Sequence, residues 1–260
     1  MDQKICLVMP VYNEAECLKR VLNEWCNTFK FLKIDYTILV ANDGSSDGTA
    51  EILDKFAADN SNIIAFHQNN SGHGKSIMNL YHQAIRQDAD WIMQIDSDDQ
   101  VSSSEFKILW DRRNDTNFIL GYRQIRMDPT HRKIISWSLR SFLKIFFGVP
   151  IADSNIPFRL MNKSLLHQML PLLPPELFAP NIFLAVLAAR HGEQLLHIPV
   201  MHKRRITGRV SILGLNLLKA CLNSFSQLLR FRTELPNKLD ILENAPKMQE
   251  LPFVPEKLAN

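Results

Sequence analysis

Four short apolar runs in the first hundred residues constrain the fold of this chain more than any other feature. They cover residues 5–9, 36–41, 63–66 and 91–95. Each run contains β-branched or aromatic residues without alternation of apolar and polar positions, which is typical of strands covered on both faces. Between the runs, apolar residues recur at helical spacing, for example at Leu18, Val21 and Leu22. The order β-α-β-α-β-α-β predicts an α/β fold with a doubly wound, mostly parallel sheet.

A polar segment follows each of the four runs. The segments are PVYNE (10–14), NDGSSDG (42–48), NNSGHG (69–74) and DSDDQ (96–100). In doubly wound sheets, ligands bind beyond the carboxyl ends of the strands, where these segments begin. A single segment of this kind is explained equally well as an ordinary loop or helix cap, because Asn, Asp, Ser and Gly are common there. The four together predict one ligand-binding crevice.

The fourth segment carries the clearest chemistry. Side chains two residues apart on an extended segment project to the same side, so Asp96, Asp98 and Gln100 can converge. Mg²⁺ and Mn²⁺ prefer oxygen ligands, and Mg²⁺ usually combines one or two carboxylates with water and substrate phosphates. The three side chains are therefore predicted to hold Mg²⁺ or Mn²⁺ on a nucleotide diphosphate. The alternative interpretation is an acidic, solvated turn.

Residues 69–76, NNSGHGKS, end like the phosphate-binding loop of P-loop nucleotide hydrolases. Lys75 and Ser76 match that motif, but Asn69 stands where the first glycine is required. A side chain at this position hinders the backbone from wrapping around phosphates. A P-loop-like nucleotide hydrolase is therefore a disfavoured alternative.

The net charge and the cysteines indicate the partners and the compartment to expect for this protein. No nucleic-acid partner is expected, because the formal net charge of +3 is too small to indicate one. The four cysteines include no CxxC pair, which favours free thiols in a reducing compartment over disulfides or a zinc site. The first residues lack the pattern of a signal peptide. A cytoplasmic protein is expected.

The polar segments also resemble those of a known family. The nucleotide-binding half of inverting family-two glycosyltransferases, which have the GT-A fold, is similar in order and spacing to MPVYNE (9–14), NDGSSDGT (42–49), SGHGKS (71–76) and DSDDQ (96–100). The acceptor half of dolichol-phosphate mannose synthases and other polyprenyl-phosphate glycosyltransferases resembles GYR (121–123), HRKIISWSLRS (131–141), DSNIPFRL (153–160) and IPVMHKRRITGRVS (198–211). The resemblance implies a metal-dependent, inverting transfer of a sugar from a nucleotide sugar to an acceptor.

The same resemblance implies roles for individual residues. The residues implied to hold the donor are Pro10, Tyr12, Glu14, Asp43, Asp96, Arg123 and Arg205. The residues implied to hold the metal are Asp96, Asp98 and Gln100. The residues implied to hold the acceptor phosphate are Arg132, Ser136 and Arg204. The residues expected to act in the reaction itself are Asp98, Asp153 and Arg159.

Two classes of acceptor remain open. A phosphate monoester, with a second pKa of about 6, is already largely ionised at neutral pH and needs no base. A hydroxyl acceptor needs a general base, for which Asp153 is the best candidate. Arg132 and Ser136 together offer a fork of donors and a hydroxyl, which favours a polyprenyl (dolichyl or undecaprenyl) phosphate. The alternative is a soluble glycosyltransferase that acts on a hydroxyl of a glycan or protein.

The chain is expected to divide near residue 210. Residues 1–210 are predicted to form the glycosyltransferase domain, with a nucleotide-binding half (1–100) and an acceptor half (101–210). Residues 211–232 predict an amphipathic helix that either packs on the core or lies in a membrane interface, where peripheral contact with the cytoplasmic face is expected. Residues 233–260 contain four prolines and little periodicity, so an extended or partly disordered tail is expected.

Overall fold

The computed structural model describes residues 3–124, 130–203 and 214–244, without the side chains of residues 130–132 and 214–218. The strands are β1 (Ile5–Val11), β2 (Tyr36–Asp43), β3 (Ile63–Gln68), β4 (Trp91–Gln94), β5 (Phe118–Arg123), β6 (Arg159–Asn162) and β7 (Leu195–Val200). The α-helices are α1 (Leu18–Leu32), α2 (Thr49–Asp59), α3 (His73–Ala84), α4 (Phe106–Asp111), α5 (Thr130–Phe147), α6 (Lys163–Met169), α7 (Pro180–Arg190) and α8 (Gly214–Asn244).

All seven strands form one sheet in the order β3-β2-β1-β4-β6-β5-β7. The pairs β1–β2, β2–β3, β1–β4 and β5–β7 are parallel, whereas β6 runs antiparallel to both β4 and β5. The predicted α/β fold with a doubly wound, mostly parallel sheet is confirmed. The antiparallel β6 is the exception, and no sequence pattern predicted it.

The sheet is covered on both faces, which explains why its central strands lack polar alternation. In β1, Cys6 and Val8 enter one hydrophobic core, while Ile5 and Leu7 enter the other. Helix α1 packs over the second core, where Phe29 and Phe106 meet edge to face with ring centroids 5.2 Å apart. Every position of β1 is buried, and every residue of β1 is apolar.

One edge of the sheet collects the segments that the sequence singled out. The register pairs Gln94 of β4 with Arg159 of β6, and Leu120 of β5 with the same Arg159. Strands β4 and β5 are therefore parallel to each other across β6, and their carboxyl ends face the same edge. The carboxyl ends of β1, β2 and β3 lie along this edge as well.

The C-terminal helix α8 is longer than predicted, and it packs on the core. Leu228, Phe231 and Leu235 are buried, and Phe231 stacks edge to face on Phe183 of α7 with centroids 5.1 Å apart. Lys238 Nζ also donates to the carbonyl of Leu172 at 2.7 Å. These contacts place the second half of α8 on the protein.

The expectation of an extended tail from residue 233 is wrong for residues 233–244, which belong to α8. Pro236 lies inside the helix, although a proline removes one backbone donor there. The apolar stripe continues past it to Leu239 and Leu242, which contact the core, and this burial offsets the cost. Residues 245–260 lie outside the described residues. In the part of the chain that the structure describes, no helix is both long and apolar enough to cross a membrane.

Candidate active site

The loops that follow β1 and β2 are hydrogen-bonded to each other. The Asn13 amide donates to Ser45 Oγ at 2.9 Å, and the Ser46 amide donates to Asn13 Oδ1 at 2.8 Å. The Glu14 amide donates to Thr49 Oγ1 at 3.0 Å, at the start of α2. Asn13 has a φ of 54°, a left-handed conformation that Asn tolerates better than most residues. The first two polar segments therefore form one structural unit.

Asp43 joins this unit to the loop that follows β3. Its Oδ1 accepts from Gln68 Nε2 and from the Ser71 amide, both at 2.8 Å, and its Oδ2 accepts from the Gly72 amide at 2.9 Å. Burial of the carboxyl acts to raise its pKa, but the hydrogen bonds from Gln68, Ser71 and Gly72 outweigh burial and hold the pKa below its ordinary value. Asp43 is therefore ionised, and its hydrogen bonds fix the conformation of the loop that follows β3.

Gly44 is required by the close approach of the same two loops. A Cβ at this position would lie 2.7 Å from the backbone nitrogen of Asn70, and the residue has a φ of +70°. Both the space and the backbone conformation exclude a side chain. The glycine of the NDGSSDG segment thus allows the second and third segments to touch.

The SGHGKS segment does not form a P-loop. A Cβ on Gly74 would lie 2.0 Å from the carbonyl oxygen of Leu177, so this glycine allows α3 to pack against the chain before α7. Ser76 is fully buried, and its hydroxyl donates to the Gly72 carbonyl at 3.1 Å and accepts from Gln68 at 2.9 Å. In a P-loop the equivalent hydroxyl faces the metal. The nucleotide-hydrolase alternative is inconsistent with this geometry.

The DSDDQ segment is held in place by α1. Cys17 Sγ lies 3.3 Å from the Ser97 carbonyl, and Arg20 forms an ion pair with Asp99 Oδ2. Asp99 has a φ of 56°, which turns its side chain toward α1. The backbone is therefore not extended at Asp99, and the alternation expected for an extended segment does not hold there.

One carboxylate oxygen of Asp96 lacks the hydrogen-bond partner that a buried polar atom needs. Its Oδ1 is buried and has no hydrogen-bond partner within the described residues, and His73 Nε2 lies 3.8 Å from it. A buried carboxylate oxygen without a donor is costly, and a cation removes that cost. The structure thus brings His73, the first residue of α3, beside Asp96.

The donor set fits a divalent cation that is shared with a substrate. Asp98 Oδ1 accepts from the Gln100 amide at 3.2 Å, and Gln100 Nε2 donates to the Lys203 carbonyl at 3.4 Å. In the described residues, no three His, Cys, Asp or Glu side chains are grouped so that they could hold an ion by themselves. Two carboxylates completed by phosphate oxygens and water match the usual Mg²⁺ arrangement. Asp96 and Asp98 therefore fit such an ion, with the amide of Gln100 beside them.

The residues expected to hold the donor occupy different depths of the site. Tyr12 is 41% exposed at the rim, while Pro10 is buried at the end of β1. Glu14 is buried, and its Oε2 lies 3.2 Å from Cys17 Sγ. Only Tyr12 of these three presents a large free surface to a ligand.

Arg123 and Asp153 form a bidentate ion pair at the carboxyl end of β5. Arg123 Nε donates to Asp153 Oδ2 at 2.7 Å, and Nη2 donates to Oδ1 at 3.0 Å. The pair joins a residue expected to bind the donor to a residue expected to act as a base. Neither partner was predicted from the sequence to contact the other.

Arg159 was expected to act in the reaction, but the structure places it inside the protein among backbone carbonyls rather than at the surface of the site. Its side chain is completely buried, and Nη1 donates to the Asn181 carbonyl at 2.9 Å while Nη2 donates to the carbonyls of Ser154 and Ile156 at 3.1 Å and 2.6 Å. Burial lowers the pKa of the guanidinium. The arginine stabilises the backbone that leads from Asp153 into β6.

The remaining predicted residues are only partly described. Ser136 lies half-buried on α5. The side chain of Arg132 and the whole of Arg204 and Arg205 lie outside the described residues.

A buried polar network beneath the DSDDQ segment was missed from the sequence. The Tyr81 hydroxyl donates to Gln94 Oε1 at 2.8 Å and lies 3.0 Å from Asn181 Oδ1. Burial raises the pKa of Tyr81, so the hydroxyl stays protonated. The network ties α3, β4 and α7 together two residues before Asp96. The detectable signal was Gln94, a polar residue in an otherwise apolar strand.

Comparisons with known proteins agree with this architecture. A family model described as Glycosyl transferase family 2 matches residues 6–170. Undecaprenyl-phosphate 4-deoxy-4-formamido-L-arabinose transferase of Proteus mirabilis (strain HI4320) is 27% identical over 208 residues, which cover 79% of this chain and 61% of that protein. The enzyme of the same name from Klebsiella pneumoniae (strain 342) is 29% identical over 209 residues, covering 79% of this chain and 62% of that protein. The chain thus spans about six-tenths of the length of these curated relatives.

Solved structures show the same fold. Glucosyl-3-phosphoglycerate synthase from Mycobacterium tuberculosis, in complex with Mn²⁺, uridine diphosphate and phosphoglyceric acid, superposes with a TM-score of 0.65 at 15% identity. The match covers 88% of this chain and 78% of that chain. A second complex of the same enzyme, with Mn²⁺, uridine diphosphate and glucosyl-3-phosphoglycerate, gives a TM-score of 0.64 at 14% identity, covering 89% and 80%. The GT-A fold expected from the sequence is confirmed. Because the family model matches more than half of its length, the chain belongs to glycosyl transferase family 2.

Proposed function

We propose that this protein transfers a sugar from a nucleotide sugar to a polyprenyl phosphate, with Mg²⁺ or Mn²⁺ bound to the diphosphate of the donor. The observation that carries the proposal is the buried Asp96 Oδ1, which has no donor in the described residues and lies two residues from Asp98 at the ligand edge. Cleavage of the sugar–diphosphate bond builds negative charge on the leaving group. A divalent ion stabilises that charge as a Lewis acid.

The donor side of the site is built from the first three loops. Asp43, through Ser71 and Gly72, holds these loops in one conformation, while Tyr12 offers an exposed ring at the rim for the nucleobase or ribose. Pro10 and Glu14 give shape to the same wall from buried positions. Rigid loops lower the entropy cost of ordering a nucleotide sugar.

The acceptor proposal rests on two supports. The curated relatives are named for transfer to undecaprenyl phosphate. In addition, Asp153, the candidate base for a hydroxyl acceptor, has both carboxylate oxygens engaged by Arg123. A phosphate acceptor is already ionised and needs no base, so this arrangement favours it. Arg132, Ser136 and Arg204 remain the proposed contacts of the acceptor phosphate, and Arg205 of the donor.

A lipid acceptor requires a membrane contact, for which we assign the α5–α8 surface. Its exposed apolar side chains include Ile134, Ile135, Trp137, Ile145 and Phe146 of α5 and Leu222, Phe225 and Leu229 of α8. Its exposed cations are Lys133, Arg140, Lys144, Lys219, Arg230 and Arg232. The two helices touch where Phe142 and Phe225 stack with ring centroids 4.5 Å apart.

The charge of this surface is predominantly positive. Residues 130–147 and 214–233 contain no Asp or Glu, and Glu234, which follows them, lies 3.9 Å from Arg230. Exposed apolar side chains among cations are the pattern of a protein surface that lies in an anionic lipid interface. Helix α5 begins seven residues after β5 ends at the ligand edge, so the surface is close to the site in sequence. This geometry suits an acceptor whose phosphate enters the site while its chain stays in the membrane.

The transfer assay is direct. The purified protein is incubated with Mn²⁺, a panel of radiolabelled nucleotide sugars, and undecaprenyl phosphate in phosphatidylglycerol-containing vesicles. Metal-dependent label in the butanol-extractable lipid is expected with one donor. Efficient labelling of a water-soluble glycan or protein without any lipid product would refute the acceptor assignment.

Membrane contact is tested separately by vesicle flotation. Replacing Trp137, which is 67% exposed, by Ser is expected to weaken binding to anionic vesicles by about tenfold to a hundredfold, since a buried large apolar side chain contributes about 1.5–3 kcal/mol. Phe31→Ser is the control, because Phe31 is also an exposed aromatic residue but lies on α1. Binding should fall as salt is raised. Equal loss in both variants would contradict the assignment of this surface.

A further inference from the structure

One imidazole nitrogen lies close to the carboxylate oxygen of the site that has no donor. His73 Nε2 is 3.8 Å from Asp96 Oδ1, which is buried and lacks a hydrogen-bond partner in the described residues. This separation is too long for a hydrogen bond. Solvent does not reach the oxygen either, so the oxygen stays unsatisfied, which is costly for a buried carboxylate.

The position of His73 is fixed by the residues on both sides of it. The Gly72 amide, immediately before His73, donates to Asp43 Oδ2 at 2.9 Å. Gly74, immediately after it, packs so closely that a Cβ there would overlap the carbonyl of Leu177. The start of α3 therefore has little freedom to move, and the imidazole extends toward Asp96 from a defined point of the backbone.

The distance between the two atoms is compatible with one shared ion. Two ligand atoms that each lie about 2.1 Å from an ion are about 3.0 Å apart when they are adjacent in its shell and about 4.2 Å apart when they are opposite. The observed 3.8 Å falls between these limits. The side chain of His73 is 51% exposed, so the imidazole has room to turn onto an ion that Asp96 binds.

From this geometry we propose that His73 is a ligand of the divalent ion and makes the site select the transition-metal ions Mn²⁺ and Co²⁺ over Mg²⁺. The inference rests on the proposed function and deepens it. An imidazole nitrogen suits transition-metal ions, whereas Mg²⁺ takes oxygen ligands and water. Asp96, Asp98 and Gln100 by themselves would offer oxygen ligands alone and would distinguish these ions only weakly.

The donor is needed to complete the shell of this ion. Among the residues that the structure describes, no three His, Cys, Asp or Glu side chains are grouped to hold an ion. The positions that His73 and Asp96 leave open therefore fall largely to phosphate oxygens of the donor and to water. The ion is expected to bind weakly to the protein alone and much more tightly together with a nucleoside diphosphate.

Pulsed electron paramagnetic resonance tests the nitrogen ligand directly, without any turnover. The sample is the full chain with Mn²⁺ and a nucleoside diphosphate that it binds, chosen from UDP, GDP and CDP. A directly bound imidazole nitrogen modulates the Mn²⁺ spin echo. This modulation is expected in wild type and absent in His73→Gln. A wild-type spectrum without it, or a modulation that persists in His73→Gln, would overturn the proposal.

His167→Gln is the matched control for this experiment. His167 lies on α6, which follows the end of β6. Because β6 is antiparallel to β4, its end at Asn162 pairs with Trp91, at the edge of the sheet opposite the site. This variant is expected to keep the full nitrogen modulation. Loss of the modulation in His167→Gln as well would show a general effect of the substitutions and would contradict the assignment to His73.

Calorimetry measures the selectivity for the ion. The affinity for the nucleoside diphosphate is compared with Mn²⁺, Co²⁺ and Mg²⁺ in wild type and variants. His73→Gln is expected to weaken binding with Mn²⁺ or Co²⁺ by at least about tenfold, since losing even an outer partner of a metal ligand costs about 10–100-fold, and to change binding with Mg²⁺ much less. An equal loss with all three ions would overturn the proposal.

His73→Lys separates a metal ligand from a cation that contacts phosphate. A protonated lysine donates hydrogen bonds to phosphate but has no lone pair for a metal. His73→Lys is therefore expected to lose the preference for Mn²⁺ as His73→Gln does. Wild-type affinity with the wild-type ratio of Mn²⁺ to Mg²⁺ binding in His73→Lys would assign His73 to the phosphate instead and overturn the proposal.

The outcomes also distinguish this inference from the proposed function. A protein that binds a nucleoside diphosphate with a divalent ion, but with no nitrogen ligand, would refute the role of His73 and leave the proposed function intact. A wild-type protein that binds none of the three nucleoside diphosphates with any of the ions would refute the donor assignment of the proposed function, and the role of His73 with it.

Discussion

Replacing Asp43 by Asn tests whether one carboxylate organises the donor loops. The substitution keeps size and shape but removes the charge. The oxygen of the new side-chain amide can still accept from Gln68 and from the Ser71 amide, whereas its nitrogen would face the Gly72 amide, donor against donor. The change therefore removes one charged hydrogen bond and weakens the others.

The size of the effect follows from these contacts. A hydrogen bond to a charged group contributes about 1.5–3 kcal/mol and a neutral bond about 0.5–1.5 kcal/mol. Loss of the Gly72 bond, weakening of the bonds to Oδ1 and partial compensation by water at the exposed loop give a destabilisation of about 2–4 kcal/mol. Donor affinity should fall both with and without metal, because the loop loses its shape.

The dependence on pH provides a second, independent readout. The pKa of Asp43 is lowered in the folded protein, so its stabilisation is present above the unfolded value of about 3.9 and is lost as pH falls through the folded value. The stability difference between wild type and Asp43→Asn should therefore shrink as the pH falls below about 4.

Urea unfolding at pH 7 and at acidic pH measures this difference, and calorimetry with a panel of nucleoside diphosphates measures the binding. Asp59→Asn is the control, since Asp59 is exposed at the end of α2. A stability difference that is the same at both pH values, or an unchanged affinity for the nucleoside diphosphate that wild type binds, would refute the reasoning.

Three further predictions concern the metal, the packing of α3 and the position of α8. Asp98→Asn should fold normally and lose the Mn²⁺-dependent part of nucleotide binding, as measured by calorimetry with and without the ion, and unchanged metal dependence would contradict the site. Gly74→Ala should destabilise the protein by about 1–3 kcal/mol in urea unfolding, because its Cβ would overlap the Leu177 carbonyl; wild-type stability would refute this contact. Phe231→Ala should cost about 3–5 kcal/mol, since the ring is buried against Phe183, and an unchanged unfolding midpoint would show that α8 does not pack there in solution.

The nucleotide-binding half was largely predictable because its signals are local. Strands β1, β2 and β4 are buried on both faces, so each appears in the sequence as an uninterrupted apolar run. Each site loop begins where such a run ends, and the carboxyl ends of parallel strands share an edge by geometry alone.

The acceptor half was less predictable because its residues are defined by partners distant in sequence. The family resemblance implied that Arg159 acts in the reaction, yet the insertion of β6 between β4 and β5 buries it among the backbone carbonyls of Ser154, Ile156 and Asn181. The pairing of Asp153 with Arg123 spans 30 residues, and no local pattern encodes it.

The C-terminal helix also shows that packing against distant segments can outweigh local sequence signals. Prolines and weak periodicity indicated an extended tail, because local propensity disfavours a helix there. Burial of Leu235 and Leu242 on the core outweighs the missing donor at Pro236, and α8 continues to Asn244. The periodicity of apolar residues along a chain indicates which residues will be buried. The surface against which they pack, and the partner of each buried charged group, come from segments distant in sequence and are therefore decided only by the tertiary structure.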